Sequence, residues 1–275
     1  MVDSLNAKEP VANAGASGSP LLDVTDVSLS FGGLKAVQHF SLKLPRVVLH
    51  GLIWPNGAGK TTVFNLLTGV YKPDSGQILL ESQHLEGRKP YEIAAAGVAR
   101  TFQNIRLFPD LCVLDNVRLG GQLQGRHRLA STLLRTSFYR SQEEAIRERA
   151  YEILGLFKMQ SCAFDRAGSL SYGHQRRLEI ARALATNPKV LLLDEPAAGM
   201  NSREKLDLAK AIRNIRDQFR ISILLIDHDM GLVMDICERI VVLDHGVTIA
   251  EGRPAEIQRD PKVIAAYLGG GVPAN

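Results

Sequence analysis

Nine consecutive residues, Trp54-Pro55-Asn56-Gly57-Ala58-Gly59-Lys60-Thr61-Thr62, hold the strongest local signal for chemistry. The pattern Gly-x4-Gly-Lys-[Ser/Thr] makes a phosphate-binding loop. Gly59-Lys60-Thr61 fits it, and Trp54 stands where its first glycine belongs. In such a loop consecutive backbone N–H groups curl around phosphate oxygens, and small residues permit the close approach. The start of a following helix adds a positive dipole end. Lys60 then supplies a point charge for β- and γ-phosphates, and the Thr61 hydroxyl is a ligand for Mg²⁺. With its first position broken, the stretch also reads as a Gly-rich turn beside an exposed lysine.

Two further constellations lie downstream. Val190-Leu191-Leu192-Leu193 runs into Asp194-Glu195-Pro196, with Asp194 134 residues beyond Lys60. A buried strand that ends in two carboxylates delivers them to the carboxyl edge of a sheet, where ligand sites of α/β folds lie. Asp194 would hold Mg²⁺, directly or through water, and Glu195 would orient and deprotonate an attacking water. Without the phosphate loop, the same pair reads as solvated acids at a strand end. Leu170-Ser171-Tyr172-Gly173-His174-Gln175 precedes a helical pattern carrying Arg176, Arg177, Arg182 and apolar Leu178, Ile180, Ala181 and Leu184. Ser171 is a suitable N-cap there, and the helix start offers a second anion site.

The elements that must position these groups follow from periodicity. Leu21–Phe31, Val47–Ile53 and Gln77–Glu81 read as strands, and Val63, Leu66 and Leu67 give Lys60–Thr68 one buried helical face. Val190–Leu193 and Ile221–Ile226 are continuous apolar runs, as expected for parallel strands covered on both faces; Ile240–Leu243 and Val247–Ala250 complete the set. Helical segments at 173–186 and 202–219 alternate with them. Between about 90 and 169 strand signals are few, and Ser141-Gln142-Glu143-Glu144 opens a long helix that ends near Gly155. Residues 1–20 lack apolar periodicity and read as a flexible tail. The fold class is α/β, with an inserted, mainly helical subdomain and a small β contribution at the N-terminus.

Composition bounds the rest. The 275 residues carry 33 Lys+Arg against 29 Asp+Glu, 45% hydrophobic residues and a single Trp, which excludes collagenous and wholly disordered chains. The net charge of +4 is spread over interspersed charges and reads as a mixed solvated surface. Arg126, Arg128, Arg135 and Arg140 form the one basic cluster of note and read as a solvated helical face, so no nucleic-acid partner is expected. Cys112, Cys162 and Cys237 show no metal-ligand or disulfide spacing. No secretory signal and no run of ~20 apolar residues is present, so the chain is expected to be soluble and cytosolic in type.

Leu170–Gln175 resembles the signature motif of ATP-binding cassette proteins, with Tyr172 and His174 as variants inside it. The motifs stand in the family's order over residues 31–229: Phe31, the phosphate loop Asn56–Thr62, Gln103 in Ala99-Arg100-Thr101-Phe102-Gln103-Asn104, the signature, Asp194-Glu195, and His228 in Ile226-Asp227-His228-Asp229. The resemblance implies a phosphate-loop NTPase core spanning 21–253, with 254–275 as a C-terminal extension. It further implies that Phe31 stacks on adenine and that Ser171, Gly173 and Gln175 contact ATP held by another protomer. His228 would meet the γ-phosphate, and Gln103 would link Mg²⁺ to movement of the helical insert. The expected cofactors are ATP and Mg²⁺. The expected partners are permease subunits docking near Gln103–Asn116, a homologous ATPase subunit as homodimer or heterodimer, and indirectly a substrate-binding protein. The place of work would be the cytoplasmic face of the cell membrane, as a peripheral subunit.

Within the family, Ala197-Ala198-Gly199-Met200-Asn201 and the end of the chain, Ala250–Ile257 with Ala265-Ala266-Tyr267-Leu268-Gly269, resemble branched-chain amino acid importer ATPases of the LivG type. Ser202 sits where that subfamily often has Pro. Lipopolysaccharide-export ATPases share much of this character but have a shorter insert. Val47-Val48 replace the family's usual Gly-Glu, so that with Trp54 three departures fall within eight residues. The indole either obstructs the phosphate path, which leaves a non-catalytic nucleotide-binding module, or turns into the sheet–helix interface and spares the loop.

Overall fold

The continuous apolar runs become buried strands. In this computed structural model residues 19–55, 60–122 and 137–268 are described, so most of the tail, Asn56–Gly59, Arg126, Arg128 and Arg135 lie outside them. The central sheet contains β3 (Leu49–Ile53), β6 (Val98–Arg100), β7 (Val190–Asp194), β8 (Ser222–Ile226), β9 (Arg239–Asp244) and β10 (Val247–Gly252), in the order β10-β9-β3-β8-β7-β6. All pairings are parallel except β9–β10. Alternate residues serve two cores: Leu191, Leu193, Ile223 and Leu225 face one, and Val190, Leu192, Leu224 and Ile226 the other. That two-sided burial explains why these strands lack polar alternation.

On the second face lies an antiparallel sheet of β1 (Leu22–Phe31), β2 (Leu34–Leu44), β4 (Ser75–Leu80) and β5 (Gln83–His84), in the order β2-β1-β4-β5. Its side chains Val24, Phe40 and Leu42 share a core with α1 (Lys60–Leu67) and the central sheet. The β9–β10 turn locks the two sheets together, because Gln38 N–H donates to Gly246 O at 2.8 Å. Gly246 sits at φ +79, and a Cβ there would lie 2.4 Å from Ala36 O, so only glycine fits this approach.

Helices cover the first face: α3 (Val113–Gly121), α4 (Ser137–Leu156), α5 (Tyr172–Ala185), α6 (Ser202–Phe219), α7 (Met230–Ile236), α8 (Pro254–Ile257) and α9 (Pro261–Leu268), whereas α2 (Pro90–Ala96) packs into the second core through Ile93. α3, α4 and α5 form the helical layer beyond β6, with Val117, Ile153 and Leu184 in one cluster. The expected helices at 141–155, 173–186 and 202–219 are present, the first beginning four residues earlier at Ser137. Three strands escaped the periodicity reading: β2, the two-residue β5 and the three-residue β6. No helix among the described residues is long and apolar enough to cross a membrane. The three cysteines are free, Cys237 buried and the others half-buried.

The unusual residues around β3 resolve in different ways. Val47 takes φ +57, the left-handed conformation that the family's glycine adopts freely and that costs a β-branched residue about 1–2 kcal/mol. Its N–H donates to Ser222 Oγ at 2.9 Å, and that hydroxyl donates onward to Pro45 O at 2.7 Å, which pins the strained turn. Trp54 is only 4% exposed, in the same core as Leu52, Val63 and Phe64. The indole is turned into the sheet–helix interface.

His50 is buried in β3, directly across from Arg239, and its Nδ1 has no hydrogen-bond partner among the described residues. Burial, aided by the Arg239 charge, lowers its pKa from 6.5 to about 4. The unfolded chain therefore takes up this proton more readily than the folded one. The stability contribution is complete above pH 6.5 and is lost as pH falls towards 4, by about 3 kcal/mol. Urea unfolding at pH 7 and pH 4.5 is expected to show this acid limb in the wild type and a weaker one in His50→Val. Equal acid sensitivity in the two proteins assigns the limb to other groups.

Candidate active site

The parallel strands deliver their carboxyl ends to one edge. Asp194 ends β7, and Glu195 follows at φ +47, a conformation uncommon outside glycine and typical of functional turns. Its N–H donates to Ile226 O at 2.7 Å, which joins the ends of β7 and β8. Glu195 Oε2 is the meeting point of three motifs. Gln103 Nε2 donates to it at 3.1 Å, and His228 Nδ1 lies 3.7 Å away. The structure thus brings Gln103, Asp194, Glu195 and His228 together from segments far apart in sequence.

The His228 ring is largely exposed while its neighbour Asp227 is buried. Asp227 Oδ1 accepts Asp229 N–H at 2.9 Å, and Oδ2 accepts Ala197 N–H at 3.3 Å. Burial raises its pKa, and those two amides oppose the shift. One carboxylate therefore ties the loop after Glu195 to the loop that carries His228. Asp229 in turn caps α7 through Leu232 N–H and pairs with Lys205, whose ammonium holds its carboxyl below the ordinary range.

Lys60 opens α1, with Thr61 exposed and Thr62 half-buried in its first turn. Phe31, at the end of β1, is 44% exposed, and the Tyr71 ring stands edge-on 5.1 Å away. An open aromatic face suits a heterocycle; Tyr71 has no strong motif of its own and was not singled out in the sequence. Among the described residues no group of three or more His, Cys, Asp or Glu could hold a metal unaided. The donors present, the Asp194 carboxylate and the Thr61 hydroxyl, are hard oxygens. They fit Mg²⁺, which takes one or two carboxylates and fills its shell with phosphate oxygens and water.

The signature residues sit apart from this cluster. Ser171 occupies the N-cap of α5 as expected, but its hydroxyl pairs with His174 Nδ1 at 2.8 Å and makes no capping bond to the helix's backbone N–H groups. Gln175 Nε2 donates to Leu170 O at 2.9 Å. Tyr172, the variant within the motif, packs on Gly199: a Cβ there would lie 3.1 Å from the ring, and φ is +73. Arg176 is buried and grips the segment around Gln103 from below. Its Nη1 donates to Phe102 O at 2.6 Å, and Nη2 donates to Gln103 O and to Tyr172 Oη. Glu179 Oε1 accepts Phe102 N–H at 3.3 Å and Arg106 N–H at 3.2 Å, and burial raises its pKa. The sequence shows these two as helix charges; only the tertiary contact shows them as a clamp.

Beside the clamp runs a groove of about 520 Å³, lined by Ile93, Val98, Phe102, Phe108, Leu119 and Arg182 among others. It is lined by residues of α2, β6, α3 and α5.

Comparison with known proteins agrees with this arrangement. Residues 37–198 match the model of the ABC transporter family, which covers more than half of the chain. The chain belongs to the ABC transporter family. Residues 247–273 match a second model, described as branched-chain amino acid ATP-binding cassette transporter. The Escherichia coli K12 high-affinity branched-chain amino acid transport ATP-binding protein LivG is 49% identical over 251 residues, 91% of this chain and 98% of that one. The Pseudomonas aeruginosa counterpart BraF is 43% identical over 250 residues, with the same coverage. A crystal structure of the ADP conformation of an ATP-binding cassette from an ABC transporter superposes with a TM-score of 0.79 at 30% identity, covering 92% of this chain and all of that one. The ABC cassette is LivG-like, with the mixed fold of a phosphate-loop NTPase, an antiparallel N-terminal sheet and a helical subdomain.

Proposed function

We infer that this ABC cassette binds and hydrolyses ATP to energise a membrane importer for branched-chain amino acids. The observation that carries the reading is the convergence of Gln103 and His228 on Glu195 Oε2, beside Asp194, at the carboxyl edge of the sheet. Phe31 stacks on adenine, and Asn56–Thr62 wrap the phosphates with Lys60 as their point charge. Thr61, Asp194 and Gln103 would hold Mg²⁺, which when bound neutralises charge on the β- and γ-phosphates. Glu195 orients the attacking water and accepts its proton. His228 donates toward the γ-phosphate.

The described side-chain hydrogen bonds of Ser171 and Gln175 stay within their own helix start, and the neighbour of Gly173 is the Glu204 carboxylate on α6, so none of the three meets Glu195. This supports a second protomer, a copy or a homologous subunit, whose signature completes the site. The apolar groove, with Phe108 from the Gln103–Asn116 region and the adjoining Phe102 on its wall, supports a permease's cytoplasmic helix as its occupant. The clamp from Arg176 and Glu179 links that dock to the signature helix. The chain would thus work peripherally at the cytoplasmic face of the membrane, with a substrate-binding protein on the far side. The boundaries at 20 and 253 and the helical insert of about 90–169 belong to the same proposal.

The test is uptake. Deletion of the gene in its host is expected to abolish high-affinity uptake of radiolabelled leucine, isoleucine and valine, and the wild-type chain is expected to restore it. Undiminished uptake, or loss of an exported lipid in its place, overturns the substrate class.

A further inference from the structure

β6 ends in a buried cation that touches the Asp194 carboxylate. The Arg100 side chain is 4% exposed, and its Nη2 donates to Asp194 Oδ2 at 2.8 Å. Nη1 donates to Asn65 Oδ1 on α1 at 2.6 Å, and the rings of Phe64 and Phe102 flank the guanidinium at 5.3 and 5.0 Å. One residue on, Thr101 Oγ1 accepts the backbone N–H of Asp194 at 3.1 Å. Asp194 Oδ1 accepts no hydrogen bond from a described residue.

A carboxylate this deeply buried is costly unless a charge partner and hydrogen bonds satisfy it. We propose that Arg100 is the resident counter-ion of Asp194, a positioning residue that holds Oδ2 and sets how strongly nucleotide binding depends on Mg²⁺. The proposal rests on the role of Asp194 at the metal given above. With the guanidinium fixed on Oδ2, a divalent cation approaching Oδ1 works against a positive charge a few ångström away. Take that charge away and the carboxylate's full negative charge is left for the metal to neutralise. Arg100 also lines the groove, so a partner seated there presses on the side chain that holds Asp194. Its contacts span α1, β7, the Gln103 segment and the groove.

The experiment titrates the full chain with a fluorescent ATP analogue in Mg²⁺ and in EDTA, and reads the ratio of the two dissociation constants. Arg100→Gln is expected to raise the preference for Mg²⁺ about tenfold over wild type, and Arg100→Lys, which keeps the charge, to stay within about twofold. Asp194→Asn is expected to bring the ratio close to one. A wild-type ratio in Arg100→Gln, with Asp194→Asn collapsed, overturns the counter-ion role and leaves the metal reading standing. A wild-type ratio in Asp194→Asn overturns the metal reading, and this inference with it. A side chain serving packing alone would lower the melting temperature and leave the ratio unchanged.

If Arg100→Gln does not fold, the wild-type protein carries the test. Arg100 Nε is buried and without an acceptor among the described residues, which gives its N–H a protected ¹⁵N resonance. That resonance is expected to move with Mg²⁺–nucleotide and to stay in place with nucleotide in EDTA. An identical response to both overturns the proposal.

Discussion

Glu195→Gln is expected to bind ATP like the wild type and to hydrolyse it about 10²–10⁴-fold more slowly. The amide keeps the shape of the carboxylate, and by flipping it can still receive Gln103 Nε2, now 3.1 Å from Oε2. What it loses is the capacity to accept the proton of the attacking water. Phosphate release gives the loss, and a fluorescent-nucleotide titration gives the retained affinity. Wild-type turnover would remove Glu195 from the chemistry. Loss of binding and turnover together would mean that the turn at φ +47 had collapsed, and would point to a structural role.

Trp54→Gly restores the family's residue, yet it is expected to destabilise the protein by about 3–5 kcal/mol. The indole fills space in the core shared by Leu52, Val63 and Phe64, and its removal leaves a cavity that the β-strand and α1 cannot close. Trp54 does not take a positive φ, so glycine offers the backbone no relief there. The Trp54 N–H has no partner among the described residues, so part of the loss is offset by about 1–3 kcal/mol when that unsatisfied donor goes. Urea unfolding measures the net change. A variant that is more stable than wild type, or that alone binds ATP, would instead make the indole an obstruction of the phosphate loop.

Legibility followed the physics of each element. Val190–Leu193 and Ile223–Ile226 were readable because two-sided burial leaves these runs no polar position. β2 was not: its exposed Lys35 and His39 and half-buried Gln38 interrupt the apolar rhythm, and register shifts against β1 break the alternation. β6 has three residues, too few for any period, and exists because β7 offers it a parallel edge. Asp194 and Glu195 announced themselves as carboxylates at the end of an apolar run. Arg100 did not, because its partner lies 94 residues away and becomes its neighbour only when β6 and β7 pair. Arg176 and Glu179 carry no signal of burial in the sequence, because their burial depends on a loop that sequence does not place. Ser171 has the composition of a cap, and a histidine three residues on captures its hydroxyl.

The carboxylate of Asp227 has a consequence for how the site opens. Ala197 N–H and Asp229 N–H both lose their acceptor if that one buried side chain moves. The proton-accepting side and the phosphate-sensing side of the site therefore belong to one cooperative opening unit, and neither loop can fray alone without leaving a polar group unsatisfied in the interior.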